Sequence, residues 1–225
     1  MNDEKDDLEL ISQSILQNRF GSSSSMQPTS NEPEIERSKG SAFEKGYTCL
    51  IEEIKDKAVD GYYSCDADIK PLPIADFQIL PEKMQEIKEC IEEGLSERIN
   101  PICSFSADVQ LIFYETATHF LEQADFKKSL DAFSFLTMMN PQVQAFWIGL
   151  ALVYEKNQNI DKAFEHFELA IQSDPSNFTP YYGITRCCET IKDFRKIDQL
   201  LEQAKENESI KEEVSELVEY IKLKR

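Results

Sequence analysis

A 34-residue period in the second half of the chain constrains its fold more than any other feature. Counting Gln144 as position 1, Trp147 falls at 4, Leu150 at 7, Ala151 at 8, Tyr154 at 11, Ala163 at 20, Phe167 at 24, Ala170 at 27 and Pro175 at 32. Apolar spacings of three and four within each half predict two amphipathic helices. Asn159 and Ile160 sit at the turn between them, and Pro175 breaks the chain before the next helix. The small residues Ala151 and Ala163 let the two helices approach closely, while Trp147, Leu150, Tyr154 and Phe167 fill the space beside that contact. One such hairpin cannot bury its own apolar faces, so the pattern has to recur at the same period. It recurs on both sides. Residues 110–143 place Phe113, Ala117, Phe120, Ser129, Phe133, Leu136 and Pro141 at positions 4, 8, 11, 20, 24, 27 and 32. Residues 178–211 place Tyr181, Ile184, Thr185, Cys188, Ile197, Leu201 and Ala204 at 4, 7, 8, 11, 20, 24 and 27, with Ser209 in the proline slot.

This pattern resembles the tetratricopeptide repeat. The resemblance implies an all-α fold: a right-handed superhelix of three helix hairpins (110–143, 144–177 and 178–211), closed by a C-terminal capping helix, behind a partly disordered N-terminal extension. Six repeat helices are expected near 109–122, 126–139, 143–156, 160–172, 177–190 and 194–206. A last helix is expected over about 209–223, apolar at Ile210, Val214, Leu217, Val218 and Ile221 and charged on its other side, which suits the open end of a solenoid.

The chain before the repeats divides by composition. Within 1–40, Leu8, Ile11, Ile15 and Leu16 have helical spacing, and Gly21 to Gly40 reads as a flexible Ser-rich linker. Within 41–80, Phe43, Tyr47, Leu50, Ile51 and Ile54 predict a helix over Ala42 to Val59, followed by a proline-spaced extended segment. Within 81–100, Met84, Ile87, Cys90, Ile91 and Leu95 predict a lead-in helix from Pro81 to Arg98. Domain 101–225 then holds the repeats and the cap. The segment Ile69 to Pro81, apolar and stiffened by Pro71 and Pro73, has two readings: it lies against the array and shields its apolar surface, or it caps a neighbouring helix.

A formal charge of −18 with no basic stripe excludes a nucleic-acid binder. Met1 to Asp7 carries five charges and no apolar run, so no signal or anchor is expected there. Ala132 to Tyr154 is uncharged and long enough to span a bilayer, yet Asn140, Pro141, Gln142 and Gln144 interrupt it, and membrane insertion is not expected. The cysteines at 49, 65, 90, 103, 187 and 188 show no C-x-x-C pair and suit reduced thiols in the cytoplasm. His119 and His166 have no second ligand at metal spacing. No nucleophile–base pattern or phosphate loop is present, so the chain reads as no enzyme, with neither cofactor nor metal.

The tetratricopeptide resemblance implies that helix positions 2, 5, 9 and 12 line a concave, peptide-binding groove. These are Leu111, Tyr114, Thr118 and Leu121 in the first repeat, and Ala145, Ile148, Leu152 and Glu155 in the second. In the third they are Thr179, Tyr182, Arg186 and Glu189. The cationic clamp that related adaptors use on a C-terminal carboxylate is absent, because its places hold Tyr114, Thr118, Gly149, Thr179 and Gly183.

The helix at 81–98, the steps Glu93-Gly94-Leu95, Ile99-Asn100 and Phe105-Ser106, and the three repeats after them also resemble the class II chaperones of type III secretion systems, over about 82–206. That resemblance implies a cytoplasmic chaperone or adaptor whose groove holds an apolar segment of a protein partner, a hydrophobic secreted or translocator-like chain. A homodimer is one assembly open to such a protein. The alternative is a structural tetratricopeptide scaffold that mediates assembly without chaperone activity.

Overall fold

The computed structural model describes residues 33–64 and 70–224. The helix expected within residues 3–20 and most of the Ser-rich linker lie outside them. The protein is mostly helical, with ten α-helices and one two-residue antiparallel ladder among the described residues. These residues fall into two compact units, 33–141 and 142–224.

In the first unit, α1 spans Pro33–Lys57. It begins inside the stretch expected to be linker up to Gly40, because a proline as first helical residue starts a helix rather than breaking one. Its buried face is Phe43, Leu50, Ile51 and Ile54. After α1 come β1 (Tyr62–Tyr63), β2 (Leu72–Pro73), a 3-10 turn (Ile74–Phe77) and α2 (Pro81–Glu92). The lead-in helix expected to reach Arg98 therefore stops six residues early. Gly94, at φ 74°, turns the backbone left-handed, and the Leu95 amide closes the cap on the Cys90 carbonyl at 2.8 Å. A 3-10 turn (Ser96–Arg98) and the short α3 (Ile99–Cys103) lead into the hairpin α4 (Ala107–Glu122) and α5 (Phe126–Met139).

The core of this unit is a connected set of rings. Phe113 on α4 meets Phe77, Phe105 and Phe135 edge-on at 5.7, 5.2 and 5.6 Å between centroids, and Phe43 reaches Phe135 at 4.8 Å. Aromatic pairs in such tilted geometries add about 0.5–1.5 kcal/mol each beyond area burial. The Tyr47 hydroxyl accepts from the Ile79 amide at 2.8 Å and donates to the Phe77 carbonyl at 3.3 Å, pinning the chain that carries Phe77. Within the apolar segment before α2, Phe77 thus packs on Phe113, which the sequence period numbers 4.

Helix α1 lies across α5, and Gly46 is the reason it can. A Cβ there would overlap the Asp131 carbonyl oxygen and the Phe135 Cβ. Only a residue without a side chain allows that approach.

The second unit holds α6 (Gln144–Lys156), α7 (Ile160–Ser173), α8 (Thr179–Ile191), α9 (Arg195–Ala204) and α10 (Lys211–Lys224). Its core includes Ala151 and Ala163, both at 0% exposure, which allows α6 and α7 the close approach that the sequence called for. Gly183 does the same for α8, since a Cβ there would overlap the Phe167 ring. The cap α10 buries Val214, Leu217 and Ile221.

The turns after α4, α6 and α8 share one backbone geometry. Ala124, Gln158 and Lys192, at successive steps of 34 residues (124, 158, 192), all adopt left-handed φ of 57°, 63° and 56°. The next residue's amide then bonds back to the preceding helix: Asp125 to Phe120, Asn159 to Tyr154 and Asp193 to Cys188, at 2.9, 2.9 and 3.0 Å. The side chains of Asp125 and Asn159 accept from the Lys128 and Lys162 amides and cap the helices that follow. Three non-glycine residues in a conformation that costs about 1–2 kcal/mol each mark a turn fixed by its surroundings.

Candidate functional site

Helix α8 is enclosed on most of its circumference: Pro180, Tyr181, Gly183, Ile184, Thr185, Cys187 and Cys188 are all buried. Among its residues that are not buried, Tyr182, Arg186 and Glu189 share one stripe at spacings of four and three, and Thr190 and Ile191 stand exposed at its C-terminal end. The Arg186 guanidinium makes a two-pronged pair with Glu155 on α6, Nε to Oε1 at 3.1 Å and Nη2 to Oε2 at 2.8 Å. Such fork-to-carboxylate geometry is directional as well as charged. The guanidinium also stands 5.2 Å from the ring centre of Tyr182, which is 41% exposed. Beneath it, burial pushes the Cys187 thiol up to about 12, with Glu155 adding to the shift and Arg186 opposing it.

A second cluster has the same form. The Tyr220 hydroxyl on α10 donates to Glu189 Oε1 at 2.6 Å, and Lys224 Nζ sits 3.7 Å from the same carboxylate and 5.2 Å from the Tyr220 ring centre. Glu155 and Arg186 are 31 residues apart, as are Glu189 and Tyr220, so the second contact stands two helices further on, between α8 and α10. Beside it lies a depression of about 760 Å³ lined by Glu189, Lys192, Asp193, Phe194, Arg195 and Lys224. Arg195 hydrogen-bonds Asp193 through side chain and backbone and holds its carboxyl well below the usual range.

The structure brings together three of the sequence-derived groove residues, Glu155, Tyr182 and Arg186. Ala145, Ile148 and Leu152 are buried at 6%, 1% and 7% exposure. In the first unit Tyr114 is buried, its ring edge-on to Phe133 at 5.8 Å, and burial raises its phenol. Leu111, Thr118 and Leu121 are half-buried on the same helix. Tyr220 and Lys224 escaped the sequence reading. Extending the period from 178 to 212 puts Tyr220 at position 9 and Leu223 at 12, but Glu219 occupies the small-residue slot at 8, which hides the match.

Elsewhere, the His166 imidazole is stacked between Trp147 and Tyr154, and His119 lies 3.8 Å from Glu122 on an exposed surface. Among the described residues no group of three His, Cys, Asp or Glu is placed to hold a metal ion. No helix among them is long and apolar enough to cross a membrane.

No protein-family model matches the chain, and no curated protein matches it. A solved structure of a CopN-Scc3 complex contains a chain similar to it at 17% identity and a TM-score of 0.45, over 77% of this chain and 98% of that one.

Proposed function

We propose that this is a tetratricopeptide-type binding protein that holds an apolar segment of a partner polypeptide, as the class II secretion chaperones it resembles do, and that it works in the cytoplasm without cofactor or nucleotide. The observation that carries the proposal is the left-handed turn recurring at 124, 158 and 192. It gives the 34-residue sequence period a physical counterpart, and repeats of this kind present one face of each first helix to a ligand. On α8 that face carries Tyr182, Arg186 and Glu189, none of them buried.

The other reading, a scaffold that assembles through its N-terminal part, draws on Val59, Tyr62 and Leu80, exposed at 72%, 53% and 56%. Affinity capture on the full chain separates the two. A chaperone retains an export-directed apolar polypeptide and loses it when Tyr182→Ala and Arg186→Ala are combined. Capture that survives those changes and is lost on Val59→Ser, Tyr62→Ser and Leu80→Ser assigns the chain to the scaffold class.

A further inference from the structure

Four large apolar or aromatic side chains stand exposed in the second unit: Tyr182 and Ile191 on α8, and Tyr220 and Leu223 on α10, the last at 87% exposure. Helical spacing puts Glu213, Glu216, Tyr220 and Leu223 on one face of α10, at the positions that the period numbers 2, 5, 9 and 12. That face is continuous with the stripe on α8 through the Glu189–Tyr220 hydrogen bond. α10 is therefore more than a lid on the hydrophobic end: it supplies a further rung of the same surface.

Carboxylates outnumber cations among the unpaired charges of this surface. Arg186 is taken up by Glu155 and Lys224 by Glu189, whereas Glu213 and Glu216 on α10 and Lys192 beside the Glu189 cluster have no ion-pair partner among the described residues. Each exposed tyrosine ring carries a cation of this chain at 5.2 Å, which leaves the ring edges and the aliphatic stems of Arg186 and Lys224 as apolar contact surface. A second copy of the chain would bring another −18 to an acidic face and is disfavoured.

We propose that α8 and α10 form a docking strip for a partner segment that is basic as well as apolar, an extended stretch in which Arg or Lys alternates with an aliphatic or aromatic residue at a spacing of about three. The spacing follows from geometry: packed helices lie about 8–10 Å apart and an extended chain advances about 3.3 Å per residue. The inference rests on the binding role argued above and adds the chemistry of the ligand.

The test uses a phage-displayed library of random dodecapeptides, selected against the full chain and against the Glu213→Gln, Glu216→Gln double variant. The expected result is enrichment of Arg or Lys three residues from an apolar residue. The affinity of a selected peptide should fall about tenfold in the double variant and in Tyr220→Ala, and stay unchanged in Val59→Ser. Enriched peptides without a basic excess, or an affinity that ignores Glu213 and Glu216, overturn the proposal while leaving peptide binding itself intact. A library that yields no binder overturns both. A dimer in sedimentation that the double variant disperses assigns the strip to a second copy and likewise overturns the proposal.

Discussion

His166 is a titratable ring held where its charged form is unwelcome. Trp147 and Tyr154 stack on it at 5.9 and 5.1 Å, its Nδ1 has no hydrogen-bond partner, and burial first, then the nearby Lys162, push its pKa down to about 4. The unfolded chain, with an ordinary histidine near 6.5, binds the proton more readily. Stability from this site is thus complete above about pH 6.5 and is lost as pH falls toward 4. The full shift corresponds to about 3 kcal/mol. With part of the ring reachable by solvent, about 1–2 kcal/mol is expected. Urea unfolding at pH 7.5 and at pH 4.5 should show a larger loss in the native chain than in His166→Gln, and equal losses would refute the account. The thiols give a second residue-scale prediction. Burial raises Cys103 and Cys187 to about 12, and Cys49 and Cys188 to about 11, so the reactive thiolate is a trace species at neutral pH. A thiolate-seeking probe at pH 7.5 should modify the buried Cys103, Cys187 and Cys188 only as fast as the chain unfolds. Rapid labelling of Cys103 or Cys187 in the native protein would contradict that.

At the scale of elements, two glycines in α1 make opposite predictions. A Cβ on Gly46 would overlap Asp131 and Phe135, whereas one on Gly40 meets nothing within 4 Å. Gly46→Val should destabilise the unit by about 3 kcal/mol or more, through overpacking at a helix crossing that cannot relax without moving α1 off α5. Gly40→Ala should stabilise it by about 0.5–1 kcal/mol, since alanine costs less than glycine in a helix interior. Amide exchange of α1 in the two variants measures both, and protection lost in Gly40→Ala or kept in Gly46→Val would count against the docking described. The same helix shows what a sequence can and cannot disclose. The six helices from Ala107 to Ala204 were legible to within about two residues because small and aromatic residues recur at fixed places. The crossing at Gly46 was not, because apolar periodicity registers the side chains that are present and this contact depends on one that is absent. Gly94 was legible as a residue but not as the end of α2, since Leu95 continued the apolar spacing past it. Periodicity also tells which face of α6 carries Ala145, Ile148 and Leu152 but not whether that face is covered, and it is buried. The Glu155–Arg186 pair joins residues 31 apart in sequence, a contact that spacing along one helix does not disclose.

For the whole molecule, the charge of −18 and the carboxylates of Glu213 and Glu216 on α10 act over different distances, which makes them separable by kinetics. The net charge sets a field that extends through the solvent. It speeds the approach of a basic partner by a factor of about 10–1,000 at low salt and is cut off beyond about 8 Å at physiological ionic strength. Glu213 and Glu216 are two charges of that total, so neutralising both leaves −16 and most of the steering. They act at contact, where a paired charge holds the complex together and chiefly slows dissociation. Stopped-flow measurements with a basic peptide should therefore show the association rate of the native chain falling about tenfold or more between 10 and 300 mM salt. The dissociation rate should change much less over that range. The Glu213→Gln, Glu216→Gln variant should keep nearly the same salt dependence of association and dissociate several times faster. An association rate indifferent to salt would mean that the acidity of the chain plays no part in finding its partner. A double variant changed only in association would place the two carboxylates outside the contact.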